Sequence, residues 1–224
     1  MSYNKYTIFL CVKNDSLIND VFKYLDDDYK KKIIIKVKDN IKSFSEMVNS
    51  CINECNTEIF IFLSHRVSPK IDDILKIIEL IDYGYGYVGL YRFACFGIHM
   101  NVIKKIGYFD ENFISGGCED DDFRIRLMYN NIAYYEDHSV EYRQGVSLFD
   151  NNISAYQHFL NKYDIDKENK IIKIKIFDKI NIYEQINKIE YSKEFLDNSY
   201  SVNIKNIWTI FSKNELYLFK IIIN

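Results

Sequence analysis

The chain has 224 residues, 48% of them hydrophobic and 27% charged, with a net charge of -3. That length suits one domain with a small appendage and supplies ample material for a core. No Lys/Arg block stands above the background, which argues against a nucleic-acid partner, and no segment approaches the ~20 apolar residues that span a bilayer.

Taken in order, strand-like and helix-like patterns alternate. "YTIFLCV" is a short apolar run and reads as a strand. Its apolar part is too short for a signal-peptide core, so the expected location is the cytoplasm, the host's if the source is a virus. "SLINDVFKYL" places Leu17, Val21, Tyr24 and Leu25 on one face of a helix. "KIIIKV" is a second strand. "SFSEMVNSCINEC" carries Phe44, Met47, Val48, Cys51, Ile52 and Cys55 on one helical stripe. "EIFIFL" is a third strand. "SPKIDDILKIIELI" is a helix in which Ser68 can cap, Pro69 suits the first turn, and Asp72 and Asp73 complement the dipole. Strands and helices alternating with short connections predict an α/β domain, with a nucleotide site at the carboxyl ends of the strands.

After residue 82 the pattern changes. "YGYGYVGLYRFACFGI" is strand-like, "NVIKKIG" a helical turn, "EDDDFRIRLMYNN" a helix, "IAYYED" and "SVEYR" short strands, and "NISAYQHFLNKYD" a helix. Beyond about residue 167, "IIKIKIF", "KINIY" and "NELYLFKIIIN" form a strand-rich tail. There Trp208, Ile210 and Phe211 can pack on the domain or make a homodimer contact. The heavy use of Ile, Asn, Lys and Tyr, with one Pro, reads as codon bias from an AT-rich genome. Cys11, Cys51, Cys55, Cys95 and Cys118 contain no CxxC pair and read as reduced thiols.

The stretch "ISGGCEDDDFRIRL" places Glu119, Asp120, Asp121 and Asp122 side by side. One reading is a helix start: acids suit the first turn, Asp120–Arg124 and Asp122–Arg126 are spaced i,i+4, and Phe123 and Leu127 face the core. That explains one or two acids rather than four. Adjacent carboxylates near a dry site raise one another's pKa and suit cation binding, sugar hydroxyls or proton abstraction. Gly116 and Gly117 give a loop free of side chains that can fold over a ligand.

The segment "FGIHMNVIKKIGYFDENFISGGCEDDDFRIRLMYNNIAYY" resembles the acceptor-side region of inverting glycosyltransferases of the GT-A fold. Their pattern runs "GxFDExF", a loop, then "EDxDxxxRL". "GGCEDDD" also resembles the "GGEDDD" loop of the β-1,4-galactosyltransferase group, with a cysteine inserted. "FLCVKND" and "IIIKVKDN" resemble the first two strands, and "SFSEMVNSCINECNTEIFIFL" the helix and strand that follow. The likeness spans roughly residues 6 to 167. It implies a Rossmann-like mixed sheet flanked by helices over residues 1–167, with 168–224 an extension, and transfer of a hexose from a UDP-sugar to a glycan hydroxyl. Carried over, Asp120 is the catalytic base. Glu119, Gly116 and Gly117 meet the acceptor, and Asn14 and Asp39 the donor nucleotide.

The family usually carries an Asp-x-Asp at the end of the third strand that holds Mn²⁺ or Mg²⁺. Here the place reads Ser64, His65, Arg66. The family's later His ligand aligns near Tyr142, with His138 and Arg143 beside it. Three expectations follow. Arg66 and His65 replace the metal at the departing diphosphate; or a metal persists through His65 and an acid from elsewhere; or the chain binds a nucleotide sugar or glycan without catalysis. His99 and His158 read as ordinary helix or loop residues.

Overall fold

A strand buried on both faces must be apolar throughout, and this requirement selects the centre of the sheet. β1 (Tyr6–Val12) and β3 (Ile59–Ser64) are such runs, and all six residues of β3 are buried. The computed structural model describes residues 5–144, 147–150 and 152–163, and beyond these the strands at 165–166, 171–174, 202–203, 207–212 and 215–223.

The first crossover is less regular than its apolar spacing predicts. In place of one helix, a 3-10 turn (Asp15–Leu17), α1 (Ile18–Val21) and a second 3-10 turn (Phe22–Tyr24) follow one another. Val21 and Leu25 are buried as expected, but Tyr24 is exposed and donates its hydroxyl hydrogen to Glu141 Oε2 at 2.6 Å. Asp26 Oδ1 accepts from Tyr29 N at 2.8 Å and starts α2 (Asp27–Lys30), which ends the earlier segment. β2 (Ile33–Val37) then pairs parallel with β1.

α3 (Phe44–Glu54) has a reciprocal cap: Ser43 Oγ accepts from Glu46 N, and the Glu46 carboxylate accepts from Lys42 N. α4 (Ile71–Tyr83) starts later than Ser68 predicts. Ser68 belongs to β4 (Val67–Ser68), which pairs antiparallel with β8 (Glu141–Tyr142) and so leaves the helix. Asp73 supplies the cap instead, accepting from Lys70 N at 2.8 Å.

β5 (Tyr87–Tyr91) and β6 (Cys95–His99) are joined by a three-residue turn, which forces them antiparallel. β6 also runs antiparallel to β3, while β7 (Tyr134–Glu136) joins β5 in parallel. The result is the expected α/β arrangement, a mixed six-stranded sheet in the order β2-β1-β3-β6-β5-β7 flanked by helices. Period-two alternation divides the core. Phe9, Phe60, Phe62 and Phe96 meet α3, α5 (Met100–Ile106), α6 (Glu119–Tyr129) and α7 (Ile153–Tyr163). Ile8, Ile61 and Leu63 meet Ile74, Ile77 and Ile81 of α4. Gly97 allows that second contact, because a Cβ there would overlap the Ile77 side chain.

In the tail, β9 (Ile165–Asp166), β10 (Ile171–Ile174), β11 (Val202–Asn203), β12 (Ile207–Ser212) and β13 (Glu215–Ile223) form a second sheet in the order β11-β12-β13-β10-β9. "KINIY" lies outside the described residues, as do the side chains of Trp208, Ile210 and Phe211. Among the described residues no helix is long and apolar enough to cross a membrane.

Candidate active site

Two chain features meet above the carboxyl ends of β1 and β3. The first is the run Ser64-His65-Arg66. His65 N donates to Cys11 O at 3.0 Å, which carries the chain over the end of β1. Arg143 N donates to Arg66 O at 2.7 Å, and the Arg143 guanidinium donates to His65 O and to Ser68 Oγ, so β8 holds this turn from behind. The Arg66 guanidinium lies 4.5 Å from the centre of the Tyr142 ring and donates from Nη1 to Ser147 Oγ at 3.0 Å. Tyr142 stacks in turn on Tyr91, with ring centres 3.8 Å apart and planes 5° from parallel, and Tyr91 stacks on His138 at 4.7 Å. Burial pulls the Arg66 pKa down from its ordinary value, with Tyr91 opposing. The group stays cationic at neutral pH.

The second feature is the start of α6. Cys118 caps it in the left-handed region at φ 66°, after Ser115 at φ 70° and Gly117 at φ 117°. Three hydrogen bonds join this loop to neighbouring segments. Phe44 N donates to Ser115 O, Asn152 N donates to Gly116 O, both at 2.9 Å, and Ser115 Oγ donates to Asp150 O at 2.7 Å.

The four acids divide by burial and partner. Glu119 is half-buried and accepts from Gly117 N. Burial, and then the Asp120 charge, push its carboxyl up to about 8. Asp120 retains 27% side-chain exposure; its Oδ1 accepts from Asp121 N at 3.0 Å and its Oδ2 faces Arg124 Nη1 at 3.1 Å. Asp121 is buried and lies 3.3 Å from the same Nη1, and burial and then the Asp120 charge raise its pKa well above the usual carboxylate range. Asp122 is wholly buried and points away, to Arg126 Nε at 2.9 Å, Lys162 Nζ at 2.6 Å and the Tyr163 hydroxyl at 2.6 Å. Asp122 therefore joins α6 to α7.

A cleft of about 410 Å³ brings Ser64 and Arg66 together with Gly116, Gly117, Glu119 and Asp120. A neighbouring cleft of about 420 Å³ is lined by Asn14 and His65, and Arg66 borders both. Asp39 lines neither and is exposed beyond β2. His99 caps α5, its Nδ1 accepting from Asn101 N at 3.1 Å, and His158 Nε2 pairs with Asp110 Oδ2 at 2.9 Å. Tyr91 at the end of β5 and Arg92 and Phe93 of the β5–β6 turn also line the larger cleft, as do Leu148 and Phe149. Their one sequence signal is an Arg between aromatics at a strand end. Lys38 fixes the 148–149 segment, donating to Leu148 O at 2.8 Å with its ammonium 4.0 Å from the Phe149 ring centre.

Divalent Mn²⁺ or Mg²⁺ takes oxygen donors in this kind of site. Of the two places where the resemblance puts metal ligands, one holds Arg66 and the other Tyr142, and they contact each other. A guanidinium fills that position with like charge. Among the described residues no group of three or more His, Cys, Asp or Glu is arranged to hold a metal ion. The residues present do not fit the ion.

No family model matches the chain. No curated protein matches it. Solved structures do show likeness. A197 from STIV is 16% identical, with 64% of this chain and 87% of that one covered and a TM-score of 0.45. Drosophila β1,4-galactosyltransferase 7 with manganese, UDP-Gal and xylobiose is 11% identical, with 97% and 94% covered and a TM-score of 0.46. The catalytic domain of the same Drosophila protein with xylobiose is 12% identical, with 97% and 93% covered and a TM-score of 0.47. By its own strand order and flanking helices, this chain is a mixed α/β sheet domain.

Proposed function

We propose that the chain is an inverting glycosyltransferase that moves a hexose from a UDP-linked donor to a hydroxyl of a glycan acceptor without a metal ion. One observation carries this reading: a single cleft is lined by a cation from the end of β3 and by carboxylates from the start of α6. Transfer needs both, set apart. The acceptor oxygen must lose a proton as it bonds to the anomeric carbon, and the diphosphate must leave with the bonding electron pair.

In this reading Asp120 takes the acceptor proton, and Glu119, Gly116 and Gly117 hold the acceptor. Arg66 stabilises the charge that builds on the departing diphosphate, a bidentate task suited to a guanidinium. His65 and Asn14 line the adjoining cleft and take the rest of the donor. Asp39 meets the nucleotide only if the donor reaches past the end of β2. Residues 1–167 form the transferase domain and 168–224 an extension.

The lack of carboxylates at Ser64-His65-Arg66 also supports a second reading, a binder of nucleotide sugars or glycans with no catalysis. A thermal-shift panel of UDP, UDP-galactose, UDP-glucose and UDP-N-acetylhexosamines, with and without Mn²⁺, separates the alternatives when paired with an assay of UDP release. Stabilisation without metal, lost in Arg66→Ala and accompanied by UDP release, supports the transferase. Stabilisation without release in the presence of glycan acceptors favours the binder. No response to any nucleotide removes the donor assignment.

A further inference from the structure

One guanidinium behind the acidic run serves three carboxylates. Arg124 is almost fully buried at 3% side-chain exposure, as is its partner Glu136 at 4%. Arg124 Nε donates to both Glu136 oxygens, at 2.8 and 3.0 Å, and Nη1 reaches Asp120 Oδ2 and Asp121 Oδ1 at 3.1 and 3.3 Å. The Phe93 ring lies 4.9 Å away on a further side. An i,i+4 surface pair would leave such an arginine free to swing; this one is fixed by a strand residue twelve positions along the chain. The "EDxDxxxRL" pattern accounts for Arg126, which pairs with Asp122, and leaves Arg124 unexplained.

We propose that Arg124, clamped by Glu136 of β7, is a positioning residue that sets the orientation and the charge of the Asp120 carboxylate facing the cleft. The proposal rests on Asp120 being the base of the transfer. Nη1 holds Oδ2 and the Asp121 amide meets Oδ1, so the carboxylate is pinned on one edge while its side chain keeps 27% exposure toward the cleft. Glu136 fixes Arg124 and also shares its charge, which tempers the pull on Asp120. Other ionisable groups around this cluster, among the described residues, include Glu119 and Asp121 on α6, Cys118 at its cap, Tyr87 on β5, Arg92 on the turn after it and His138 beyond β7, whose pKa burial and then the Arg92 charge lower. Burial and then the Asp120 charge raise both Glu119 and Asp121 above the usual carboxylate range.

The test sets two opposed variants against each other. Arg124→Lys replaces the fork by a point charge; Glu136→Gln keeps the shape of the clamp and removes its charge. For UDP-sugar turnover, Arg124→Lys should lower kcat by about tenfold to a hundredfold with donor KM unchanged. It should also move the acid limb of the rate profile up by about one pH unit. Glu136→Gln should move that limb down. A merely structural clamp would lower melting temperature in both variants and leave the limb in place, which overturns the proposal. The Asp120 carboxyl ¹³C titration gives the same comparison without turnover. Opposed shifts there sustain the assignment even if no donor is consumed, whereas coincident curves refute it. If Arg124→Lys does not fold, the direction in Glu136→Gln alone decides, and an upward or absent shift is fatal.

Discussion

α4 and α6 both carry a run of acids in the first turn, and the acids serve different ends. α4 opens with Asp72 and Asp73. Asp72 is exposed, and Asp73 accepts from Lys70 N, closing the first turn. α6 opens with Glu119 to Asp122, of which Asp121 and Asp122 are buried and Glu119 and Asp120 border a cleft. The helix dipole favours acids at both starts equally. What separates them is the company each keeps. α4 begins at the surface beside β4, while α6 begins under a tied loop and over a buried arginine. An acidic first turn is therefore weak evidence of a site, and acids held in a dry place by a buried cation that another element clamps are stronger evidence.

The largest expected difference between the two starts is catalytic. Asp120→Asn should lower transfer by about a hundredfold to ten-thousandfold while donor binding by thermal shift persists, and Asp73→Asn should leave transfer unchanged. Full activity in Asp120→Asn would erase the distinction. Next comes stability. Asp122→Ala removes a buried carboxylate shared by Arg126, Lys162 and Tyr163 and should cost about 3 kcal/mol in urea unfolding. A third difference concerns pH. Glu119 holds a proton in the folded chain that the unfolded chain has released, across the window from 4.5 to about 8. Its contribution is fully present below that window and is lost as pH rises through it, so Glu119→Gln should flatten the fall in melting temperature there. The smallest effect belongs to α4: Asp73→Ala removes a cap and should cost about 1 kcal/mol or less.

Much of this contrast is visible in the sequence, and the missing part has a common cause. β1 and β3 announce themselves as unbroken apolar runs, and the Asp120–Arg124 and Asp122–Arg126 pairs follow from helical spacing alone. Seventy-six positions separate Arg66 from Tyr142, and twelve separate Arg124 from Glu136, and no local period encodes either contact. Ser68 shows the same limit. Its place before an amphipathic run suggests a helix cap, yet pairing of β4 with the distant β8 claims it for a strand. The run from Leu17 to Leu25 has helical spacing, yet its backbone breaks into short 3-10 and α turns. Local chemistry marks the acids and their helical partners; Arg66, Lys162 and Glu136 arrive through tertiary structure.

The claim that Arg66 stands where a metal ion would otherwise serve is tested most directly by UDP release from UDP-sugars with a glycan acceptor in excess EDTA. The account predicts turnover that EDTA leaves intact and that Arg66→Ala abolishes. Turnover that appears only with added Mn²⁺ or Mg²⁺ and survives Arg66→Ala would contradict it.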